Sequence, residues 1–303
     1  MFDTSSRWLS VPSLEGRRVL ITGAARGIGA GLAERLHQCG ARVALAGLEP
    51  ELLEQTAISA GRAPWVHCDV SDRQQVDSAV AELTEALGGL DVVVANAGTA
   101  GQLPLVGGDP AVMEEIIEVN VLGSYYTLRA AGPHISHPDG YALAVSSLGA
   151  ILHAPLLGAY SASKAAVEAM GNALRTELRP TGARVGVAYF SVLDTDMTTR
   201  GFGTAAATKL LEGFPLKSDP VEWGINAVER GIARRSRRIY APFWVAGIMP
   251  IRNFTAPIVE LATQRNLQAA LEMARSEDVD LTTPSSARSS AGARTSGSNR
   301  TDP

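Results

Sequence analysis

The sequence predicts an α/β fold, doubly wound, in which helices cover both faces of a central parallel sheet as a three-layer sandwich. Three observations predict it. Short apolar, β-branched runs alternate along the 303 residues with segments of helical periodicity, the rhythm of repeated βαβ units. The strand runs are continuously apolar instead of alternating, as strands buried on both faces are. The first run ends in Thr22-Gly23-Ala24-Ala25-Arg26-Gly27-Ile28-Gly29 and leads straight into a helix, a strand, turn and helix that present backbone N–H groups to a phosphate.

The elements follow in order. Residues 1–15 read as an arm of mixed polarity, and 18–22 as the first strand. Ile28, Leu32 and Leu36 then recur at four-residue spacing in a helix that ends at Gly40. The second strand is 42–46, and Pro50, just after Glu49, opens the next helix. The third strand, 64–68, leads into Asp69-Val70-Ser71-Asp72, where Ser71 is the expected N-cap of a helix to about residue 87. The fourth strand, 91–95, ends in Asn96-Ala97-Gly98; a helix of about 109–135 carries Asn120; the fifth strand, 141–145, ends in Ser146-Ser147. Tyr160 opens a helix to about residue 179, followed by the sixth strand, 184–190. Residues 194–215 read as irregular with short helical stretches, Asp219 as the cap of a helix through 235, and 238–241 as the last strand. An apolar, Pro-interrupted segment follows, with a helix from Pro257 onward. The organisation expected is an arm at 1–15, one domain over 16–275 with a lid or helical extension at 242–275, and a disordered tail at 276–303, where Ser, Thr, Gly, Arg and Pro dominate.

Composition narrows the function. A hydrophobic content of 46% supplies a core, and a net charge of −4 leaves no electrostatic footprint for nucleic acid. The cluster Arg234, Arg235, Arg237 and Arg238 reads as a solvated helix end. Cys39 and Cys68 have neither metal-ligand spacing nor a disulfide framework, so a reducing, cytoplasmic setting is expected. His134 and His137 lack a supporting set of ligands, so no metal is expected. No apolar run approaches the roughly 18 residues of a membrane span. Phe243 to Met249 reads as an interface or lid element, with peripheral membrane contact as the alternative.

In a doubly wound sheet, ligands bind at the carboxyl ends of the strands. That rule gathers the glycine turn, Asp69, Asn96-Ala97-Gly98 and Ser147 on one edge. Tyr160 and Lys164, four apart on a helix, share a face, and a cation beside a phenol favours the phenolate and so acid/base work near neutral pH.

These motifs together resemble the short-chain dehydrogenase/reductase family, in its single-domain Rossmann-type form, over about residues 15–242. Thr22-Gly23 with Gly27 and Gly29 is similar to the family's TGxxxGxG, and Ala95-Asn96-Ala97-Gly98 to its NNAG with Ala for the first Asn. Asn120, Ser147, Tyr160 and Lys164 are similar to its Asn-Ser-Tyr-Lys tetrad. The resemblance implies an NAD(P)-dependent oxidoreductase acting on an alcohol or ketone. Tyr160 would exchange the hydroxyl proton; Lys164 would bind the nicotinamide ribose and lower the Tyr160 pKa. Ser147 would hold the substrate oxygen, and Asn120 a water that links Lys164 to solvent. Arg26 and Ile28 lie in the implied phosphate turn, Asp69 would bind the adenine amino group with Val70 against the ring, and Thr195 the carboxamide. Phe190-Ser191 replaces the family's Pro-Gly.

The cofactor signals conflict. Gly47 stands where NAD-preferring members carry an acidic residue and Leu48 where NADP-preferring members carry a basic one; Glu49 favours NAD, Arg26 favours NADP, and the balance leans slightly to NAD. Phe202, Leu210, Leu211 and Phe214 occupy the place of a substrate lid, which suits a bulky lipophilic alcohol or ketone, or else only packs the lid itself. His153 could line the same pocket. The family further implies a homodimer or homotetramer. The alternative from another class is a catalytically silent NAD(P)-binding regulator on the same fold.

Overall fold

The computed structural model describes residues 12–212, 217–277 and 281. The elements are β1 (Arg18–Thr22), α1 (Gly27–Gln38), β2 (Arg42–Gly47), α2 (Pro50–Ser59), β3 (Trp65–His67), α3 (Arg73–Leu87), β4 (Val92–Ala95), α4 (Pro110–Ile116), α5 (Gly123–Ala131), β5 (Tyr141–Val145), α6 (Gly158–Glu177), β6 (Arg184–Phe190), α7 (Ala205–Leu210), α8 (Val221–Arg234), β7 (Arg238–Ala241), α9 (Val245–Ile248), α10 (Thr255–Thr263) and α11 (Leu267–Ala274). The strands form one parallel sheet in the order β3-β2-β1-β4-β5-β6-β7. After β3 the chain crosses back over β1 to add β4 on its other side, so β1 and β4 diverge at their carboxyl ends into a crevice.

The period of two along a strand divides the core into two layers. Val19 and Ile21 pack with Leu32 and Leu36 of α1 and Val228 and Ile232 of α8. Leu20, between them, points the other way, to Val80, Leu83 and Leu87 of α3 and Val167 of α6. Each such buried side chain contributes roughly 1.5–3 kcal/mol, so β1 has no room for a polar residue on either face from Val19 to Ile21.

Several local expectations are corrected. The N-cap of α3 is Asp72, whose carboxylate accepts the Gln74 and Gln75 amides; Ser71 instead turns its amide and hydroxyl back to Asp69 Oδ1 at 2.9 and 2.7 Å. Asp219 does not cap α8, which begins after Pro220. Its backbone is held by Val192 and Asp194 in a parallel bridge that prolongs the strand direction past β6. The helix expected over 109–135 is interrupted by a π turn, Ile117–Leu122, between α4 and α5, and finishes in a 3-10 turn, Gly132–Ile135. The irregular stretch after β6 contains a second π turn, Met197–Gly201, and α7.

In the carboxyl-terminal extension Val245 and Met249 are buried against Val187 and Tyr189 of β6, whereas Phe243 is 87% exposed. Most of the expected tail, and Phe214 of the expected lid, lie outside the described residues. Glu277, read from sequence as tail, hydrogen-bonds the Ala205 and Ala206 amides of α7. No described helix is long and apolar enough to cross a membrane, and no group of three or more metal-ligating side chains occurs among the described residues.

Candidate active site

The turn after β1 is built by close backbone approach. Gly23 has φ +65°, and a Cβ there would stand 2.6 Å from Ala97 Cα, so only glycine lets the β1 and β4 loops touch. A Cβ on Gly29 would meet the Gly23 carbonyl oxygen at 2.2 Å and Asn96 Nδ2 at 2.7 Å, so α1 can start against the turn only with glycine at that place. Asn96 Nδ2 donates to the carbonyls of Thr22 and Gly23 at 3.0 and 3.1 Å. Thr22 is buried behind the turn; its hydroxyl donates to the Val94 carbonyl and accepts from the Asn96 amide. Thr22 therefore ties β1 to β4 from behind the turn.

The crevice between the β1 and β4 loops has a cavity volume of about 160 Å³ and opens to solvent. Gly23, Arg26, Gly27, Ile28, Glu49, Asp69, Val70, Asn96, Ala97, Gly98 and Thr195 line it, so the sequence-predicted residues from five separate loops meet there. Cys68, Thr99, Glu115, Val119, Asp196 and Met197 line it as well, and sequence reasoning missed them. Cys68 and Asp196 directly precede or follow predicted residues, a signal that could have found them; Glu115 and Val119 lie on α4 and the π turn, where nothing local marks them.

Arg26 and Glu49, the two opposed cofactor signals, form an ion pair with each other, and Arg26 Nη1 lies 3.3 Å from Asp196 Oδ2. Arg26 thereby spans from the glycine turn to the ends of β2 and β6. Its Nε is buried without a hydrogen-bond partner. Around the missing Pro-Gly, the Ser191 amide pairs with the Ala241 carbonyl at 2.9 Å and Asp194 N with the Asp219 carbonyl at 2.8 Å. Strand-like pairing thus replaces the turn and brings Thr195 opposite Gly27, whose Cβ would lie 3.8 Å from Thr195 Cγ2.

The four tetrad positions converge at the inner end of this crevice. Asn120, fully buried in the π turn, accepts the Thr99 amide at 2.7 Å and donates to the Thr99 carbonyl and Ser163 Oγ, each at 2.9 Å. A Cβ on Gly98 would lie 3.1 Å from Asn120 Oδ1 and 3.3 Å from Lys164 Nζ, so the Asn-Ala-Gly loop sits directly on both. Lys164 Nζ donates to the Val145 carbonyl at 3.1 Å and lies 5.7 Å from the centroid of the Tyr160 ring, on the same face of α6. Ser146 Oγ donates to the Lys164 carbonyl at 2.8 Å, fastening α6 to the end of β5. Ser147 Oγ accepts the Gly149 amide at 3.0 Å and donates to the Phe190 carbonyl at 3.4 Å, and it lies close enough to the Tyr160 phenol to affect its proton. His153 contacts only the nearby Ala150 carbonyl by its ring nitrogen, at 3.3 Å.

Burial dominates the electrostatics. It pushes the Tyr160 phenol up to about 12, with the Ser147 hydrogen bond pulling the other way. It draws the Lys164 ammonium down to about 8. Removing both groups from water disfavours phenolate and ammonium alike in the protein alone, against the direction in which Lys164 is expected to move Tyr160. At neutral pH the pair holds a protonated phenol and a charged lysine.

A dinucleotide fits this donor set. Gly27 leaves space on the crevice side, where a Cβ would meet nothing nearer than Thr195 Cγ2 at 3.8 Å, and the buried Nε of Arg26 offers an unused donor.

Comparison with known proteins agrees. The family model described as short chain dehydrogenase matches residues 17–207. Fatty acyl-CoA reductase Rv0547c of Mycobacterium tuberculosis is 28% identical over 261 residues, covering 79% of this chain and 86% of its own length. L-2,3-butanediol dehydrogenase of Corynebacterium glutamicum is 36% identical over 187 residues, 59% of this chain and 72% of its own. A solved short chain dehydrogenase/reductase of Burkholderia phymatum in complex with NAD has the same fold, with a TM-score of 0.71 at 22% identity over 82% of this chain and 96% of that one. A short chain dehydrogenase of Burkholderia cenocepacia in complex with NADP gives 0.67 at 26% identity, over 86% and 98% of the two chains.

Proposed function

Because this chain belongs to the short chain dehydrogenase family and is thereby an NAD(P)-dependent oxidoreductase, we propose that it interconverts an alcohol and a ketone, with Tyr160 as the general acid/base. The observation that carries the reading is the convergence on Tyr160: the Ser147 hydroxyl acts on the phenol, Lys164 lies on the same face of α6, and Lys164 Nζ stands behind Gly98, which lines the dinucleotide crevice. The bound nicotinamide supplies or takes the hydride. The chain's own residues hold the partner in place and move the proton. Gly23, Gly27 and Gly29 shape the turn that would hold the phosphates, Asp69 and Val70 would hold the adenine, and Asn96, Ala97, Gly98 and Thr195, which line the same crevice, would hold the nicotinamide end.

Ser147 orients the substrate oxygen, and its hydroxyl stabilises the charge that develops there. Tyr160 donates its phenolic proton to that oxygen during reduction and takes it back during oxidation. Lys164 favours the phenolate that results, because an ammonium beside a buried oxyanion lowers its energy. Asn120, through both its contacts to Thr99, holds the loop that meets Lys164.

The substrate is lipophilic in this reading. Tyr160 is flanked by Phe202, and Leu156 and Leu210 are buried beside the lid helix; the similarity to a fatty acyl-CoA reductase supports an apolar substrate, although the butanediol relative acts on a small one. Replacing Tyr160 with Phe removes the proton and keeps the ring. Turnover is expected to fall about 10²- to 10⁴-fold while the dinucleotide still binds by fluorescence titration, and a Tyr160→Phe enzyme of near-normal rate overturns the mechanism. A panel of aliphatic, steroid and sugar alcohols tests the substrate class, which is wrong if only small polar compounds react.

A further inference from the structure

Tyr160 is only 6% exposed, and Phe202 stands edge-on to its ring, with centroids 5.1 Å apart and planes at 79°. The crevice lining reaches Thr195 and Met197 but does not include Tyr160 or Ser147. A substrate whose oxygen meets the phenol therefore shares space with the Phe202 ring, and a bulky one displaces it. Phe202 sits between the π turn Met197–Gly201 and α7, so its place depends on how α7 is held.

The carboxyl-terminal extension latches α7 at both ends. The two Glu277 carboxylate oxygens accept the Ala205 and Ala206 amides at 2.7 and 3.1 Å, satisfying groups that a helix start leaves free. Asn266 Nδ2 donates to the Glu212 carbonyl at 3.2 Å, just past the other end. Between these latches α11 lies along α7, with Ala270 fully buried against Leu156, Ala206 and Leu210. Thr204, two residues after Phe202, caps α7 with its hydroxyl and hydrogen-bonds Gln102. One side of the lid is thus tied to the loop after β4 and the other to α11.

We infer that Phe202 is a specificity-determining residue, which sets the bulk of substrate that reaches Tyr160, and that Glu277 is a positioning residue, which holds Phe202 there by clasping α7. The inference rests on Tyr160 being the acid/base. While this clasp stays shut a bulky apolar substrate has to displace the Phe202 ring to react, and release of the extension eases its entry relative to a small one.

The test uses the full-length protein, NAD(P)H and straight-chain ketones from butanone to dodecan-2-one. Phe202→Ala is expected to raise the ratio of kcat/KM for dodecan-2-one over butanone about tenfold, the size of effect a reshaped apolar pocket produces. Glu277→Ala moves the ratio the same way by less, Glu277→Gln, which keeps one accepting oxygen, falls between, and amide hydrogen exchange in 205–207 quickens about tenfold in Glu277→Ala. If Phe202→Ala fails to fold, Phe202→Leu is read in its place. An unchanged ratio in the Phe202 variant overturns its part, and unchanged exchange in Glu277→Ala overturns the clasp whatever ketones react. Tyr160→Phe run alongside separates the two layers: if it keeps its activity the acid/base assignment has failed, whereas a dead Tyr160→Phe with an unmoved ratio condemns only Phe202.

Discussion

Replacing Glu49 with Gln probes how the crevice chooses between NAD and NADP. In the structure the Glu49 carboxylate pairs with Arg26, and the two side chains are only 19% and 22% exposed. With the adenosine ribose bound beside it, the acid would both repel a 2′-phosphate and occupy the guanidinium that would otherwise receive one. Two unit charges about 7 Å apart interact by about 2.4 kcal/mol at an effective dielectric constant of about 20. A phosphate dianion increases this, while the open crevice and about 0.15 M salt screen most of it. Arg26 keeps Asp196 as a partner, but that side chain is 54% exposed and yields easily. The net expectation is roughly 1–2 kcal/mol in favour of the phosphorylated cofactor, or roughly 5- to 30-fold in relative preference. The assay is kcat/KM for NADPH and NADH with one ketone, in the wild type and Glu49→Gln, with the ratio of ratios as the readout. A ratio that stays put, or moves towards NADH, refutes the idea that the Arg26–Glu49 pair governs the choice; Arg26→Gln should move it towards NADH.

Two further outcomes follow from the buried groups. Lys164, drawn down to about 8 by burial, is expected to lose its proton within the working range, so log kcat/KM for reduction should fall with unit slope above about pH 8. Tyr160, pushed up to about 12, keeps its proton there, so a Lys164→Arg enzyme should lose that break, and a break that persists assigns it elsewhere. The stability effect has the opposite sign to the activity effect: between about pH 8 and the unfolded lysine value of about 10.4 the unfolded chain holds the extra proton, so this group's contribution rises with pH across that window. Asn120→Leu strands the Thr99 amide and the Thr99 carbonyl in a dry site, while the Ser163 hydroxyl keeps its bond to the Tyr160 carbonyl. At about 1–3 kcal/mol per buried orphan, less some relaxation, a loss of roughly 2–4 kcal/mol is expected in urea unfolding, and a loss below about 1 kcal/mol contradicts the clamp.

The strands, their order of appearance and the chemical residues at their ends were legible because local patterns decide them. β1, β5, β6 and β7 have the expected bounds, since a run buried on both faces must be apolar throughout. The glycine turn was legible for the same reason: at Gly23 and Gly29 a Cβ has no room, so the residue type records the backbone contact. Helix ends were less legible, because competing hydrogen bonds choose the cap. Ser71 and Asp219 carry suitable side chains, yet an Asx turn at Asp69 engages the first and a strand-like bridge the second.

By itself, then, the sequence determined the class of fold, the crevice edge and the presence of Asn120, Ser147, Tyr160 and Lys164 in one order, since each depends on periodicity, on steric exclusion or on spacing along a single helix. Only the tertiary structure decided how those groups behave. It joined Arg26 to Glu49, turned Thr22 inward as a tie, and set Phe202 against Tyr160 with Glu277 holding the helix behind it. It also buried Tyr160 and Lys164, which raises the one pKa and lowers the other. Contacts between distant segments and the exclusion of water arise only when the chain is packed, and no local run of residues records either one.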